Sequence, residues 1–201
     1  STALVGHVTE MINSDALVPL NDLIDDIGRD KFSENALNEG TVDGNNYSIP
    51  LYSHAMVMWV RKDLLEQNGL EVPKTWDELY ETAKQLTKDG IYGLSFPCGS
   101  NDFQATNFLN FYVRSGGGSL LNDDLTANLT SDLAIEGINY WLKVYEDCSP
   151  KDSVNYDVLD QATLYYQGKT AFDFNSGFQI GGVQQNSPDL LQYVDCYPIP
   201  T

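Results

Sequence analysis

Ala-Met-Val-Met-Trp-Val, residues 55–60, is an unbroken apolar run. A half-exposed strand alternates apolar and polar residues, whereas a strand covered on both faces is apolar throughout. The run is therefore typical of a central strand with other elements packed on both of its sides, and we expect the rest of the fold to be arranged around it.

Helical and extended patterns alternate along the rest of the chain. Apolar residues recur at helical spacing in some segments, and short apolar runs bounded by Gly, Pro or Asn lie between them. Such alternation is typical of an α/β layer architecture, in which helices cover a sheet. The predicted helices cover residues 62–67, 75–89, 103–113, 131–145 and 159–166, with two short ones within 5–27, and the predicted strands cover 92–96, 170–174 and 193–199.

The clearest local signal is the tetrapeptide Thr-Trp-Asp-Glu at residues 75–78. A Thr followed three residues later by Glu forms a capping box, in which each side chain accepts a hydrogen bond from the other residue's backbone N–H. Trp76, Leu79 and Leu86 then fall on one face, which indicates an amphipathic helix packed on the core. We expect Gly90 to end this helix.

The charge of the chain excludes one class of partner. The sequence has 29 acidic and 11 basic residues, a formal net charge of −18, and no cluster of Lys and Arg. A nucleic-acid-binding surface needs such a cluster to meet the phosphates, so no nucleic-acid partner is expected. The apolar runs are also far shorter than the roughly 20 residues that span a bilayer.

Metal and cofactor chemistry has no support in the pattern. Cys98, Cys148 and Cys196 show no paired spacing, and His7 and His54 stand far apart, so we expect neither a metal site nor a cofactor. One bridged cysteine pair and three free cysteines are both compatible with the sequence. Three consecutive glycines at 116–118 do not open directly into an apolar helix, which argues against a nucleotide-binding loop.

The many acidic residues raise the alternative of a glycoside hydrolase, which places two carboxylates on either side of the scissile bond. The candidates are Asp102, Asp173 and the pairs at residues 25–26 and 123–124. A solvated face or a turn explains each of them more simply, because catalytic roles are rare. We therefore expect no enzyme activity and keep glycoside hydrolysis as the alternative from another class.

The segment Asn-Ser-Gly at residues 175–177 lies between a predicted strand and a helix that begins near Phe178. Backbone N–H groups at such a position can face a ligand oxygen, and an ordinary N-cap explains the same residues equally well. Phe108 and Tyr112 match the buried face of a helix. Phe103, nearest the start of that helix, is the best candidate there for a ring that contacts a ligand.

Four segments, in this order, resemble the family 1 extracellular solute-binding proteins, relatives of the maltose-binding protein. The resemblance covers most of the chain, from about Gly6 to its end. The segments are Tyr-Ser-Ile-Pro-Leu-Tyr-Ser-His-Ala-Met-Val-Met-Trp-Val-Arg-Lys-Asp-Leu-Leu at 47–65, Gly-Leu-Glu-Val-Pro-Lys-Thr-Trp-Asp-Glu-Leu at 69–79, Tyr-Gln-Gly-Lys-Thr-Ala-Phe-Asp-Phe-Asn-Ser-Gly at 166–177 and Val-Asp-Cys-Tyr-Pro-Ile-Pro at 194–200.

The resemblance implies both an architecture and a function. It implies a periplasmic-binding-protein-like lobe of type II, an α/β fold with a mixed sheet flanked by helices, incomplete at both termini. Residues 1–52 would then be a remnant of the first lobe with the crossover, and residues 53–201 most of the second lobe. Such proteins are extracytoplasmic, often lipid-anchored by an N-terminal segment, and deliver a small solute to the membrane permease of an ABC importer.

The ligand contacts of the family can be carried over position by position. Maltose-type members have an acidic residue at position 54 and a Trp at position 178, where this chain has His and Phe. A sugar or oligosaccharide is the implied ligand, and glycerol phosphate or another polyol phosphate is the alternative. Arg61 and Lys62 are expected to face solvent, and Ser and Asp suit neutral hydroxyls. The implied contact residues are His7, Ser53, His54, Asp102, Phe103, Ser176, Gly177 and Phe178.

Overall fold

A computed structural model describes residues 5–51, 55–100 and 104–201 of the chain, with side chains from residue 8 onward. The residues group into two units, 1–54 and 55–201. Each unit has its own secondary structure, and each is described here by itself. The assignment of residues 1–52 and 53–201 to a first and a second lobe stays a prediction.

The first unit consists of short helices and one small hairpin. Pro19 lies between its first two helices, as the sequence predicts, because proline cannot donate the backbone hydrogen bond that a continuous helix needs. Asp43 and Gly44 both have positive φ, which suits the tight two-residue turn of the hairpin. The elements are α1 (Val5–Asn13), α2 (Asn21–Ile27), α3 (Glu34–Asn38), β1 (Thr41–Val42) and β2 (Asn45–Asn46), with a 3₁₀ helix at Arg29–Lys31.

The second unit alternates helices and strands, which confirms the α/β class. Its strands are β3 (Val57–Arg61), β4 (Tyr92–Leu94), β5 (Thr170–Asn175) and β6 (Val194–Tyr197). Its helices are α4 (Lys62–Gln67), α5 (Trp76–Leu86), α6 (Gln104–Ser115), α7 (Asp132–Cys148), α8 (Val158–Tyr166) and α9 (Phe178–Asn186), with 3₁₀ helices at Lys151–Asn155 and Pro188–Tyr193.

The end of α5 differs from the sequence-based expectation. The helix stops at Leu86, well before Gly90. The backbone of Thr87 leaves the helical region with a ψ of 84°, and its hydroxyl donates to the Ala83 carbonyl at 2.8 Å and accepts from the Gly93 backbone N–H at 2.9 Å. Gly90 lies in the following turn, where its φ of 83° favours glycine.

The sheet of the second unit is mixed, with the strand order β4-β5-β3-β6. Strand β3 is antiparallel to both β5 and β6, whereas β4 is parallel to β5. All six residues of β5 and four of the five residues of β3 are buried. The apolar run at residues 55–60 therefore does mark a central strand, as predicted.

Two apolar clusters cover the two faces of this sheet. The larger one packs Phe172 and Phe174 against aromatic side chains of α5, α6 and α7. Trp76 is central to it, since its ring lies 5.5 Å from that of Trp141. The opposite face carries a smaller cluster beneath α8 and α9, made of Trp59, Tyr165, Val183 and Val194.

The three cysteines are free. Burial raises the pKa of Cys98 to about 11 and that of Cys148 to about 12, so both remain protonated thiols at neutral pH. Among the helices within the described ranges, none is long and apolar enough to cross a membrane.

The capping box at the start of α5 gives a first prediction. Thr75 Oγ1 accepts from the Glu78 backbone N–H, and Glu78 Oε2 accepts from the Thr75 backbone N–H, each at 3.2 Å. Thr75→Ala should lower the free energy of unfolding by about 1 kcal/mol, because one N–H loses its acceptor. Thr75→Ser keeps the hydroxyl and should cost much less. Urea unfolding measures both, and equal stabilities of the two variants would contradict the capping role.

Candidate functional site

The loop between β5 and α9 brings three of the predicted site residues together. Ser176 is buried, whereas Gly177 and Phe178 are exposed, and Phe178 keeps 44% of its surface accessible. The residues on either side, Asn175 and Gln179, are almost completely enclosed. One glycine and one aromatic ring are therefore exposed on the surface, whereas the residues that flank them are buried. We call residues 176–178 the β5–α9 loop.

Three hydrogen bonds fix the backbone of Ser176. Its carbonyl accepts from Trp59 Nε1 and from the Gln179 backbone N–H, each at 3.2 Å, and its N–H donates to Asn175 Oδ1 at 3.0 Å. Among the described residues, none makes a hydrogen bond to the Ser176 hydroxyl. That hydroxyl can therefore donate to or accept from an external ligand.

Gly177 has no structural need to be glycine. Its φ of −59° and ψ of −15° are open to any L-residue. A methyl group at its Cα would meet no atom of the described residues within 4 Å. Neither the backbone conformation nor the packing of those residues requires glycine here, and they leave space in front of Gly177 for a group that approaches the backbone closely.

A buried carboxyl group lies beneath this loop. Asp173 is 1% exposed in the middle of β5, and it accepts hydrogen bonds from Gln161 Nε2, Gln179 Nε2 and Asn175 Nδ2. Burial raises its pKa to about 7, against the lowering effect of the amide donors. The sequence-based interpretation of Asp173 as part of a solvated face or a turn is therefore wrong.

Cations are scarce near the loop. Residues 170–193 contain no Lys and no Arg. Arg61 was expected to face solvent, but it is buried, and its guanidinium donates to both oxygens of Asp63 at 2.7 and 2.6 Å and to the Gly168 carbonyl at 3.3 Å. Its charge is neutralised within the fold, because a buried guanidinium needs a carboxylate partner. Lys62 is partly exposed and lies 3.3 Å from Asp195.

The remaining predicted contacts cannot be placed around this loop. The side chain of His7 and the whole of Ser53, His54, Asp102 and Phe103 lie outside the described residues. Sequence reasoning missed the buried polar set of Asp173, Gln161 and Gln179. One signal could have revealed it, namely a charged residue in the middle of a strand whose flanking residues are apolar.

A separate cavity of about 240 Å³ opens between α6 and α7 in the second unit. Apolar side chains line most of it, so it suits a polar solute poorly. Among the residues that the structure describes, no group of three or more His, Cys, Asp or Glu could hold a metal ion. The cavity is lined by Phe96, Ala105, Thr106, Leu109, Ile138, Trp141 and Leu142.

Comparison with known proteins gives matches along almost the entire chain. The family described as bacterial extracellular solute-binding protein matches residues 2–201. A binding protein of Brucella abortus (strain 2308) is 26% identical over 182 residues, which are 90% of this chain and 44% of that protein. The mannitol-binding protein of Pseudomonas aeruginosa is 34% identical over 82 residues, 39% of this chain and 19% of that protein.

Solved structures match the fold. A solute-binding protein of an ABC transporter from Thermotoga lettingae, bound with α-D-tagatose, superimposes with a TM-score of 0.87 at 21% identity. The match covers 94% of this chain and 50% of that protein. The expected fold, a periplasmic-binding-protein-like α/β lobe with a mixed sheet, is thereby confirmed. The chain spans about half the length of the proteins that match most of it.

The buried carboxyl of Asp173 predicts a pH dependence of stability. Its pKa is about 7 in the folded state and 3.8 as the ordinary value, so between these values the folded protein holds a proton that the unfolded chain releases. The bound proton stabilises the folded state fully when the pH is below the ordinary pKa. This stabilisation is lost as the pH rises through 7, and the free energy of unfolding falls by up to about 1.4 kcal/mol per pH unit. Urea unfolding should show this loss in wild type relative to Asp173→Asn.

Two titratable side chains of α8 interact electrostatically with Asp173. They are Tyr165 and Tyr166, and burial raises the pKa of both phenols above its ordinary value, so neither titrates between acidic and neutral pH. Helix α9 has no acidic or basic residue. A stability difference between wild type and Asp173→Asn that stays constant from acidic to neutral pH would contradict the prediction.

Proposed function

The chain belongs to the bacterial extracellular solute-binding protein family, and from this premise we propose that it binds an uncharged, hydroxyl-rich solute, a sugar or a polyol, for an ABC importer. The observation that carries the proposal is the β5–α9 loop. Within the described part of the chain, it combines a Ser176 hydroxyl that makes no hydrogen bond, open space at Gly177 and a half-exposed ring at Phe178. These are the groups that a hydroxyl-rich ligand needs.

The chemistry of such a ligand fits each part of the loop. Sugar hydroxyls exchange hydrogen bonds with serine hydroxyls and backbone groups, and the C–H face of a sugar packs on an aromatic ring. A glycine lets a ligand come closer to the backbone than any other residue does. His7, Ser53, His54, Asp102 and Phe103 are proposed as further contacts on the family pattern.

A phosphate-bearing solute fits the loop less well. Phosphate is bound by charge-assisted hydrogen bonds from Arg or Lys, which are about twice as strong as neutral ones. Residues 170–193 provide neither, and the Arg61 guanidinium is occupied by Asp63. The neutral ligand is therefore favoured over glycerol phosphate.

A binding role is also favoured over glycoside hydrolysis. A hydrolase needs two carboxylates positioned at an accessible bond. Asp173, the acidic residue nearest the loop in sequence, is enclosed and accepts three amide donors. The family is one of binding proteins. The proposal extends to an extracytoplasmic location with a lipid anchor in the full-length protein, and to a membrane permease as partner.

Thermal unfolding of the full-length protein tests the proposed ligand class. A solute that binds the folded state alone raises the unfolding temperature with its concentration. We expect such a rise with at least one of D-mannitol, D-tagatose and maltose, and no product after prolonged incubation. A rise with glycerol 3-phosphate and with none of the three neutral compounds would contradict the proposal.

Gly177 offers a sharper test with a matched control. Gly177→Ala places a methyl group in the free space in front of the loop, and Gly181→Ala places one in open space on α9. Both should change the free energy of unfolding by less than about 1 kcal/mol, because neither methyl meets an atom of the residues that the structure describes. By calorimetry, Gly177→Ala should weaken binding of the sugar at least tenfold and Gly181→Ala should not. Equal affinities of the two variants would exclude close contact between ligand and Gly177.

A further inference from the structure

The polar network around Asp173 is unusual for the interior of a strand. All six residues of β5 are buried, and Phe172 and Phe174 on either side of Asp173 are completely enclosed. A buried carboxyl with amide partners costs more desolvation free energy than an apolar side chain of similar size. Packing alone therefore gives no reason for an acidic residue at this position.

The partners of Asp173 come from three different elements. Gln161 lies on α8, Asn175 lies at the end of β5, and Gln179 lies in the first turn of α9. Both glutamines are at most 1% exposed and direct their Nε2 groups at the carboxyl. One side chain thus connects the strand to the helix that precedes it in sequence and to the helix that follows it.

Two of these hydrogen-bond partners lie next to the β5–α9 loop. Gln179 holds the start of α9 on the Asp173 carboxyl. Asn175 donates to the same carboxyl at 3.4 Å and, through Oδ1, accepts from the Ser176 N–H at 3.0 Å. Trp59 is the residue paired with Asp173 across the sheet, and its indole N–H holds the Ser176 carbonyl. Both ends of the loop are therefore anchored to one pair of facing residues.

We propose that Asp173 is a positioning residue for the β5–α9 loop, which it fixes through Gln179 and Asn175 in the conformation that meets the ligand. A loop that is already ordered binds without the entropy cost of ordering it. The role of the acidic residue is then to position Ser176, Gly177 and Phe178, and not to stabilise the sheet. This inference rests on the proposed function, because it takes the loop to be the ligand contact.

Two variants and a matched control separate positioning from general stability. Gln179→Met removes the amide that holds α9 and keeps the length of the side chain, and Asp173→Val removes the carboxyl and suits a buried strand. Val183→Ala destabilises the same helix by removing a fully buried side chain, but it leaves the network untouched. We call Gln179→Met and Asp173→Val the network variants. If one of them does not fold, the other still allows the comparison with the control.

Hydrogen exchange, measured by NMR on the full-length protein without ligand, reports the loop directly. The probes are the Ser176 backbone N–H and the Trp59 indole N–H, which donate two of the three hydrogen bonds of the Ser176 backbone. Both should exchange at least tenfold faster in Gln179→Met and Asp173→Val than in wild type, and within about threefold of wild type in Val183→Ala. Exchange in the network variants no faster than in Val183→Ala would overturn the proposal.

Calorimetry with D-mannitol and D-tagatose completes the test. Affinity for the sugar that wild type binds should fall at least tenfold in the two network variants and less than threefold in Val183→Ala. Faster exchange with unchanged affinity would overturn the role of Asp173 in ligand binding. If wild type binds neither these two compounds nor maltose, that result counts against the proposed function, and the exchange rates still decide whether Asp173 positions the loop.

Discussion

The antiparallel pairing of β3 with β5 is the constraint on which the second unit depends. Its register places Trp59 opposite Asp173, and paired residues of neighbouring strands point to the same face of a sheet. The indole and the carboxyl therefore lie together beneath α8 and α9, while Met58 and Phe174 turn to the aromatic core. A slip of one residue would exchange the two faces, placing the carboxyl among aromatic rings.

The two faces of the sheet are packed differently. On one side, Trp76 and its aromatic neighbours bury a continuous apolar cluster, which supplies the main stabilisation of the unit. On the other side, the smaller cluster around Tyr165 and Val183 leaves room for the polar network.

The sequence predicted the fold well because its signals are local or strongly patterned. The apolar run at 55–60, the capping box at Thr75 and the proline between α1 and α2 each act through neighbouring residues. The ligand contacts stay a prediction, and the buried polar set around Asp173 was missed. The apolar residues that flank Asp173 signal its burial, but its contact with Gln161 and that of Arg61 with Gly168 join residues more than ten positions apart. Such partners are set by strand register and helix packing.

The most direct test of the account is a crystal structure of the full-length protein with a bound sugar or polyol. The central claim is that the β5–α9 loop is a ligand contact. It predicts a ligand hydroxyl within hydrogen-bonding distance of Ser176 Oγ or a loop backbone group, with the Phe178 ring against the C–H face of the ligand. A ligand that is bound elsewhere, with the Ser176 hydroxyl and the Phe178 ring both free of contact, would contradict the claim.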